Sequence, residues 1–263
     1  NHMKKTIIFI ILLLSLTFLY SKYIEPNNFK VREYSVISSS IPESFNGYKI
    51  IHLTDLYYEN KDLTSIIDKI NNLNPDLVVF TGNLLHNNFN PDQKETLINY
   101  LNSIKSTYGI YAVKGNNDNN EIYNEIINST NIKILNNEYI YLYNNNYTPI
   151  LLIGLDTNIN LENAFKYEDN INYKIVLSHY PDNFDLINDK NINLFLSGNS
   201  LNGQVRLPFL GGIIKKDGSK KYYDEKYYIN NTNIFISNGL GNPKYDIRLL
   251  NTPSINFYRL YSK

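Results

Sequence analysis

The chain has 263 residues, and its 25 lysine and arginine residues balance 25 aspartate and glutamate residues. This length and a hydrophobic share of 43% are sufficient for one large globular domain. Zero net charge gives no support for a nucleic-acid partner, and the lack of cysteine excludes disulfides and thiolate metal sites. Abundant asparagine and 24 tyrosines indicate an AT-rich coding bias, so a single asparagine is weak evidence for a site.

The N-terminal segment predicts a membrane anchor. Residues 1–2 precede the methionine and are interpreted as a cloning remnant. Residues 3–23 join Lys4 and Lys5 to a charge-free apolar run, which fits a signal peptide or a short anchor. Bulky residues where a cleavage site would lie favour the uncleaved anchor. Because the lysines favour a cytoplasmic N-terminus, we expect a cell-membrane protein with a single anchor and an extracytoplasmic domain.

The rest of the chain predicts a layered α/β architecture. Residues 24–28 are predicted to be a spacer and residues 29–263 the domain, which starts with an edge strand at Phe29–Ile37. Apolar spacing then predicts helices and strands in alternation. The helices are expected at Leu63–Leu73, Gln93–Ile104 and Glu121–Ile127, and strands at Ile110–Val113, Ile132–Leu135, Ile140–Tyr143 and Ile150–Leu155. Because the second half is mostly strand, we expect two β-sheets face to face, flanked by helices.

Five apolar strands end in polar residues that would meet at one rim. Two occur early, in Ile-Ile-His-Leu-Thr-Asp-Leu-Tyr (50–57) and Leu-Val-Val-Phe-Thr-Gly-Asn (77–83). The third is Val-Lys-Gly-Asn-Asn-Asp (113–118), where a strand enters a sharp turn. The last two are Ile-Val-Leu-Ser-His-Tyr-Pro-Asp (175–182) and Leu-Phe-Leu-Ser-Gly-Asn-Ser-Leu (194–201).

This order of blocks resembles the calcineurin-like metallophosphoesterases, in particular their membrane-anchored bacterial branch. The resemblance extends from about Phe29 to the C-terminus and includes Gly203–Pro208 and Ile236–Gly241. It implies a four-layer metallophosphoesterase fold. In an intact member it also implies phosphate-ester hydrolysis by two divalent metals, which clamp the phosphoryl group and acidify a water.

The resemblance also implies which residues belong to the site. Asp55, Asn116 and His179 match ligands of the family. Asn117 stands where the family has a histidine that protonates the leaving group, so no catalytic residue is expected.

The remaining ligand positions are replaced. Tyr57 stands at a ligand histidine, Asn83 at the bridging aspartate, and Asn199 and Leu201 at both histidines of a Gly-His-x-His block. Two dications about 3.5 Å apart repel by about 19 kcal/mol at an effective dielectric constant of about 20. Because Asp55 is the one carboxylate left among the matched ligands, we expect that a two-metal centre does not assemble.

The two halves of the site are predicted to differ. Tyr57 and Leu201 would fill the first half with ring and aliphatic volume. The second half keeps three amides around an imidazole, from Asn83, Asn116, Asn199 and His179. We expect a hydrogen-bonded polar cluster without a cofactor. The alternative is weak binding of a single divalent cation, Mn, Mg or Ca, through amide oxygens.

The other histidines are poorer candidates. His52 lies within a strand and is interpreted as a core residue, whereas His86 follows Asn83 in a polar loop and is placed to reach the rim. His2 belongs to the cloning remnant. Asp118 and Asp182 are expected to brace their turns.

Basic residues in the second half are candidate contacts for a phosphorylated ligand. They are Arg206, Arg248 and the loop lysines Lys215, Lys216, Lys220 and Lys221. For the lysines, a solvated basic loop is the simpler interpretation.

Three functional hypotheses follow. The favoured one is a membrane-anchored pseudoenzyme that keeps the phosphoesterase fold and binds a phosphorylated glycan, a lipid head group or a partner protein. The alternative is an active metal-dependent phosphohydrolase or phosphodiesterase with a rebuilt or single-metal site. The third is decay of the site in an AT-rich genome, since changes from His to Asn, from His to Tyr and from Asp to Asn each need one base change.

Overall fold

The computed structural model describes residues 2–167 and 170–263; Asn1, half of the predicted cloning remnant, lies outside them. The α-helices are His2–Leu19 (α1), Thr64–Asn72 (α2), Lys94–Asn102 (α3), Glu121–Asn128 (α4) and Leu161–Ala164 (α5). The first strands are Lys30–Ser38 (β1), Lys49–Leu53 (β2), Leu77–Phe80 (β3), Ile110–Ala112 (β4), Ile132–Ile134 (β5), Glu138–Leu142 (β6) and Ile150–Leu155 (β7). They are followed by Lys174–Ser178 (β8), Leu194–Ser197 (β9), Arg206–Leu207 (β10), Gly211–Gly212 (β11), Lys226–Ile229 (β12), Thr232–Ile236 (β13) and Ser254–Ser262 (β14).

In the described part of the chain, the strands form two mixed six-stranded sheets. The first has the order β1-β14-β2-β3-β4-β5, in which β2 to β5 run parallel. The second has the order β12-β13-β9-β8-β7-β6, in which β13, β9, β8 and β7 run parallel. Strands β10 and β11 form a separate antiparallel hairpin.

The two sheets pack face to face. Ile50 and Val79 of the first sheet share one buried core with Leu152, Leu177 and Leu196 of the second. Helices α2, α3 and α4 cover the outer face of the first sheet, and α5 with nearby loops covers the outer face of the second. Full burial of each such aliphatic side chain contributes about 1.5–3 kcal/mol. The predicted α/β class, with two sheets flanked by helices, is confirmed.

The observed helices begin within a few residues of their predicted starts, at positions where a side chain caps the helix. Helix α2 begins at Thr64 because the carboxylate of Asp62 accepts its backbone N–H at 2.9 Å. The helix predicted from Gln93 starts instead with a 3₁₀ turn at Pro91–Gln93, which the Asn90 side chain caps.

The N-terminal helix leaves the domain, yet its end is fixed to it. Helix α1 has no buried residue, and helical turns continue from it to Asn27. Glu25 is 2% exposed, and its carboxylate accepts the backbone N–H groups of Leu250 at 2.9 Å and Asn251 at 2.6 Å. Because this carboxylate binds backbone donors of the domain, the segment predicted to be a spacer is packed against the domain.

Candidate functional site

The parallel strands bring the predicted site residues to one edge. Asp55, Asn83 and Asn116 follow the carboxyl ends of β2, β3 and β4 in the first sheet. His179 and Asn199 follow β8 and β9 in the second sheet. Because the carboxyl ends of neighbouring parallel strands lie at the same edge, residues that are far apart in sequence meet there.

The side-chain amide of Asn83 is the hub of a buried polar cluster. Its Nδ2 lies close to Asp55 Oδ1 at 3.1 Å, Tyr57 Oη at 2.7 Å, Asn116 Oδ1 at 3.1 Å and His179 Nε2 at 3.0 Å. An amide nitrogen carries two protons, so four acceptors share two donors. We call these five residues the Asn83 cluster.

Backbone groups fix the orientation of Asn83. Its Oδ1 accepts the backbone N–H of Asn117 at 3.1 Å, which directs Nδ2 into the cluster. The buried carboxylate of Asp118 accepts the N–H groups of Asn83 at 2.6 Å, Leu84 at 2.9 Å and Gly115 at 2.8 Å. Burial raises the pKa of Asp118 to about 6, against the lowering effect of these hydrogen bonds. Asp118 therefore holds together the turn that follows β3 and the turn that follows β4, as predicted for its own turn.

Asp55 is the carboxylate of the cluster and is fully buried. Its Oδ2 accepts the hydroxyl of Thr54 at 2.9 Å and the backbone N–H of Asn199 at 2.8 Å. Gly198 allows this approach, since a Cβ there would lie 2.6 Å from the same oxygen. The Asn199 side chain turns away and donates to Asp217 O at 2.7 Å. The structure therefore brings two of the three expected amides to the imidazole, those of Asn83 and Asn116.

His179 presents an unprotonated nitrogen to the cluster. Its Nδ1 lies 2.6 Å from Thr81 O and must donate a proton to that carbonyl, which leaves Nε2 as the acceptor. Burial lowers the pKa of His179, against the opposing effect of Asp55, so the ring stays neutral at pH 7.

Tyr57 and Leu201 occupy the other half of the site. Both are buried and both have left-handed backbone angles, with φ of 43° and 49°. Bulky residues adopt this region at a cost of about 1–3 kcal/mol. Burial and the nearby Asp55 carboxylate raise the pKa of Tyr57, so its hydroxyl stays protonated. Side-chain volume thus fills this half, on a strained backbone.

Lys216, predicted to be a solvated loop lysine or a ligand contact, is instead a buried cation next to the Asn83 cluster. Its Nζ is buried, lies 5.7 Å from the centroid of the Tyr57 ring, and has no hydrogen-bond partner among the described residues. Burial lowers the pKa of Lys216 to about 8, although Asp55 opposes the shift. The run of loop lysines looks solvated in sequence, and Lys220 and Lys221 do form exposed ion pairs with Asp217 and Asp185. No local signal distinguishes Lys216 from them.

Arg206 and Arg248, the two predicted ligand contacts, bind acceptors of the protein itself. Arg248 is fully buried and donates to Asn238 O at 2.7 Å, Asn242 Oδ1 at 2.7 Å and Gly241 O at 2.6 Å. Burial lowers its pKa to about 10. Arg206 pairs with Asp224 at 2.9 Å. Because its donors bind protein acceptors, Arg248 is not placed to contact a substrate. Arg206 uses Nη1 for protein acceptors and lines a separate cleft of about 410 Å³, so its role as a ligand contact stays a prediction.

The remaining histidines lie outside the cluster. His52 is fully buried between Thr81 and Tyr258, and burial lowers its pKa to about 3. His86 lines a cleft of about 460 Å³ beside Tyr57, and its Nε2 contacts Pro243 O at 3.0 Å. Pro26, next to Glu25, lines the same cleft, which therefore runs from the end of the N-terminal helical segment to the edge of the site.

The donor atoms decide which metals the site can hold. In residues 2–167 and 170–263, no group of three or more histidine, cysteine, aspartate or glutamate side chains is placed to hold a metal ion. Asp55 and His179 are the matched ligands of strong donor type, and the amide nitrogen of Asn83 lies between them. Hard divalent cations prefer oxygen ligands and several carboxylates.

Known proteins are similar to this chain along most of its length. A family model described as Calcineurin-like phosphoesterase matches residues 48–208. The chain is 30% identical over 256 residues to the uncharacterized metallophosphoesterase YkuE of Bacillus subtilis, covering 92% of this chain and 89% of that protein. It is 28% identical over 137 residues to the transmembrane protein with metallophosphoesterase domain of Danio rerio, covering 48% of this chain and 31% of that protein.

A solved structure shares the fold. The NAD nucleotidase NadN of Haemophilus influenzae superposes with a TM-score of 0.52 at 17% identity. The superposition covers 74% of this chain and 45% of that one.

Proposed function

The chain belongs to the calcineurin-like phosphoesterase family, and from that membership we propose that it is a membrane-anchored member that has lost the two-metal centre and hydrolytic activity. The observation that carries this proposal is the position of the Asn83 amide. Its Nδ2 stands within 3.1 Å of four side chains that would have to turn toward metal ions instead.

Charge supports the same conclusion. Two dications about 3.5 Å apart repel by about 19 kcal/mol at an effective dielectric constant of about 20, and several anionic ligands must offset that repulsion. The cluster offers one carboxylate, Asp55, and the buried ammonium of Lys216 adds positive charge beside it. The residues present therefore do not fit a two-metal centre.

The proposed role is binding or regulation. A ligand would enter the cleft of about 460 Å³ next to Tyr57, whose wall includes Lys61, His86 and Lys244. A phosphorylated glycan, a lipid head group or a partner protein fits this mixed polar surface.

The first experiment is metal binding and turnover by the full-length protein in detergent micelles. After removal of metals with chelator, we expect no heat of Mn²⁺ binding in the micromolar range and no metal-dependent hydrolysis of bis(p-nitrophenyl) phosphate. Asn83→Asp, which restores the bridging carboxylate, is the matched variant and should gain Mn²⁺ binding.

A working phosphohydrolase with a single metal is the second candidate. It is favoured by His179, whose Nδ1 is fixed on Thr81 O, so that its unprotonated Nε2 could bind a metal if the Asn83 N–H moved away from it. Rotation of the Asn83 amide would add an oxygen donor. Micromolar Mn²⁺ binding by the unaltered chain, with hydrolysis abolished by His179→Ala, would establish this candidate in place of the pseudoenzyme.

We also propose that α1 spans the cell membrane with Lys4 and Lys5 on the cytoplasmic side. Among the described residues, one helix, extending from His2 to Asn27, is long and apolar enough to cross a membrane. Because the chain lacks cysteine, Asn145→Cys supplies a single thiol on an exposed turn. A membrane-impermeant maleimide should label it in intact cells; labelling only after lysis would reverse the proposed topology.

A further inference from the structure

The hairpin formed by β10 and β11 exposes an unusual amount of apolar surface. We call Leu207–Ile214 the apolar hairpin tip. Phe209 is fully exposed, Leu210 is 73% exposed and Ile213 is 52% exposed. Large contiguous apolar patches on a folded domain mark sites of interaction, because a partner or a lipid surface removes their apolar area from water.

The apolar hairpin tip is attached to the same short segment as the end of the anchor. Val205 bridges to Leu249, and the backbone N–H of Arg206 donates to Leu249 O at 2.9 Å. The next two residues of that segment, Leu250 and Asn251, donate their N–H groups to the Glu25 carboxylate. The hairpin therefore binds Leu249, and Glu25, at the end of the helical anchor segment, binds the next two residues. We call residues 249–251 the shared backbone strip.

The residues around this strip suit a membrane surface. Tyr20, Lys22 and Tyr23, at the end of the helical anchor segment, are exposed, and aromatic and basic residues are typical of the level where a helix leaves the hydrocarbon. Leu250, on the strip itself, is 59% exposed. Lys215 follows the apolar hairpin tip and is exposed, with its Nζ 4.3 Å from the centroid of the Tyr223 ring. Apolar residues flanked by lysine are the composition that binds anionic lipid surfaces.

We propose that the apolar hairpin tip inserts into the lipid surface from which α1 emerges, so that the domain touches the bilayer at two places. The inference rests on the proposed membrane anchor. A lipid surface is favoured over a second protein because the tip shares its backbone strip with Glu25, two residues from the interfacial Tyr23.

Insertion would also orient the site. Lys216 lies two residues after Ile214, and its ammonium is 5.7 Å from the centroid of the Tyr57 ring in the Asn83 cluster. A second contact with the bilayer, next to the loop that carries this lysine, would therefore restrict rotation of the domain about the single helix α1.

Tryptophan fluorescence tests the proposal, because the chain contains no tryptophan. Phe209→Trp places one reporter on the tip, Phe9→Trp places one in α1, and Tyr147→Trp is the control on a residue that is 95% exposed. Each full-length variant is reconstituted into phosphatidylcholine and phosphatidylglycerol vesicles with brominated acyl chains. We expect blue-shifted emission and loss of most of the signal for Phe209→Trp, as for Phe9→Trp, with little change for Tyr147→Trp.

The three reporters separate the possible failures. Quenching of Phe9→Trp alone would support the membrane anchor and overturn insertion of the apolar hairpin tip. Quenching of Phe209→Trp alone would support the tip and overturn the anchor. A blue shift of Phe209→Trp without quenching by bromine, together with sedimentation as a dimer, would assign the tip to a second copy of the chain and overturn the proposal.

Discussion

Restoring a carboxylate at position 83 is the sharpest test of the Asn83 cluster. In Asn83→Asp an oxygen replaces Nδ2, which lies 3.1 Å from Asp55 Oδ1. Two carboxylates at that separation repel by about 5 kcal/mol at an effective dielectric constant of about 20. We therefore expect the metal-free variant to be strongly destabilised.

Protonation limits the size of the effect. Keeping one carboxyl neutral at pH 7, from an ordinary pKa of about 3.9, costs about 4 kcal/mol, so the pair would share a proton instead of accepting the full repulsion. The variant also loses the N–H donor that Asn83 offers to His179 Nε2 at 3.0 Å, which costs about 1 kcal/mol. The expected loss in the free energy of unfolding is about 4–5 kcal/mol at pH 7. Because the shared-proton pair has a raised pKa in the folded state, the loss should shrink as the pH falls toward 4.

Urea unfolding of the full-length protein in micelles, followed by circular dichroism, measures this loss. Asn145→Asp, on an exposed turn, is the matched control and should change stability by less than about 0.5 kcal/mol. Mn²⁺ at about 100 times its dissociation constant should raise the free energy of unfolding of Asn83→Asp by about 2.7 kcal/mol. A loss below about 1 kcal/mol without metal would refute the view that this amide is the hub.

Two further predictions concern buried charges. Because burial lowers the pKa of Lys216 to about 8 from an ordinary 10.5, its contribution to stability is present above pH 10.5 and is lost as the pH falls through about 8. Lys216→Met should therefore be more stable than the unaltered chain at pH 7 by up to about 3 kcal/mol, and unfolding profiles that stay parallel from pH 7 to 10.5 would contradict this. Glu25→Gln places an amide N–H against backbone donors and should lower the free energy of unfolding by about 1–3 kcal/mol, and speed proteolysis after residue 22. Glu33→Gln, on an exposed strand position, is its control, and equal effects of both changes would remove the argument for docking.

Regular structure was predictable because buried parallel strands and amphipathic helices leave strong periodic signals. Strand β7 coincides with the predicted Ile150–Leu155 at both ends, since it is a continuous apolar run that Pro149 precedes and Asp156 follows. The packing of residues 24–28 was not predictable. It depends on Glu25 meeting Leu250, more than two hundred positions away in the chain, and Glu-Pro-Asn-Asn carries no local sign of such a contact.

The site was predictable in place and less so in detail. Strand ends positioned Asp55, Asn83 and His179 because the spacing of strand and turn is local information. The direction of the Asn199 side chain depends instead on Asp217 O, which belongs to a loop with no regular pattern. Lys216 belongs to the same loop, and its Nζ is buried. Its position in a run of charged residues predicts solvent exposure, so the burial could not be read from the sequence.

The turns that follow β3 and β4 are joined by contacts of the chain itself, and these contacts predict how the protein responds to chelator. Asp118 joins the turns after β3 and β4 through backbone N–H groups, and Gly82 has a φ of 93°, with no room for a Cβ because Gly115 N would lie 2.4 Å away. Because these constraints come from the chain itself, the two turns keep their arrangement around the Asn83 amide. In an enzyme that depends on bound metal, chelator would remove the stabilisation that binding supplies, about 2.7 kcal/mol at 100 times the dissociation constant. For this protein we expect the urea midpoint to be the same with and without chelator; a midpoint lowered by chelator and restored by Mn²⁺ would show that a metal still holds the site.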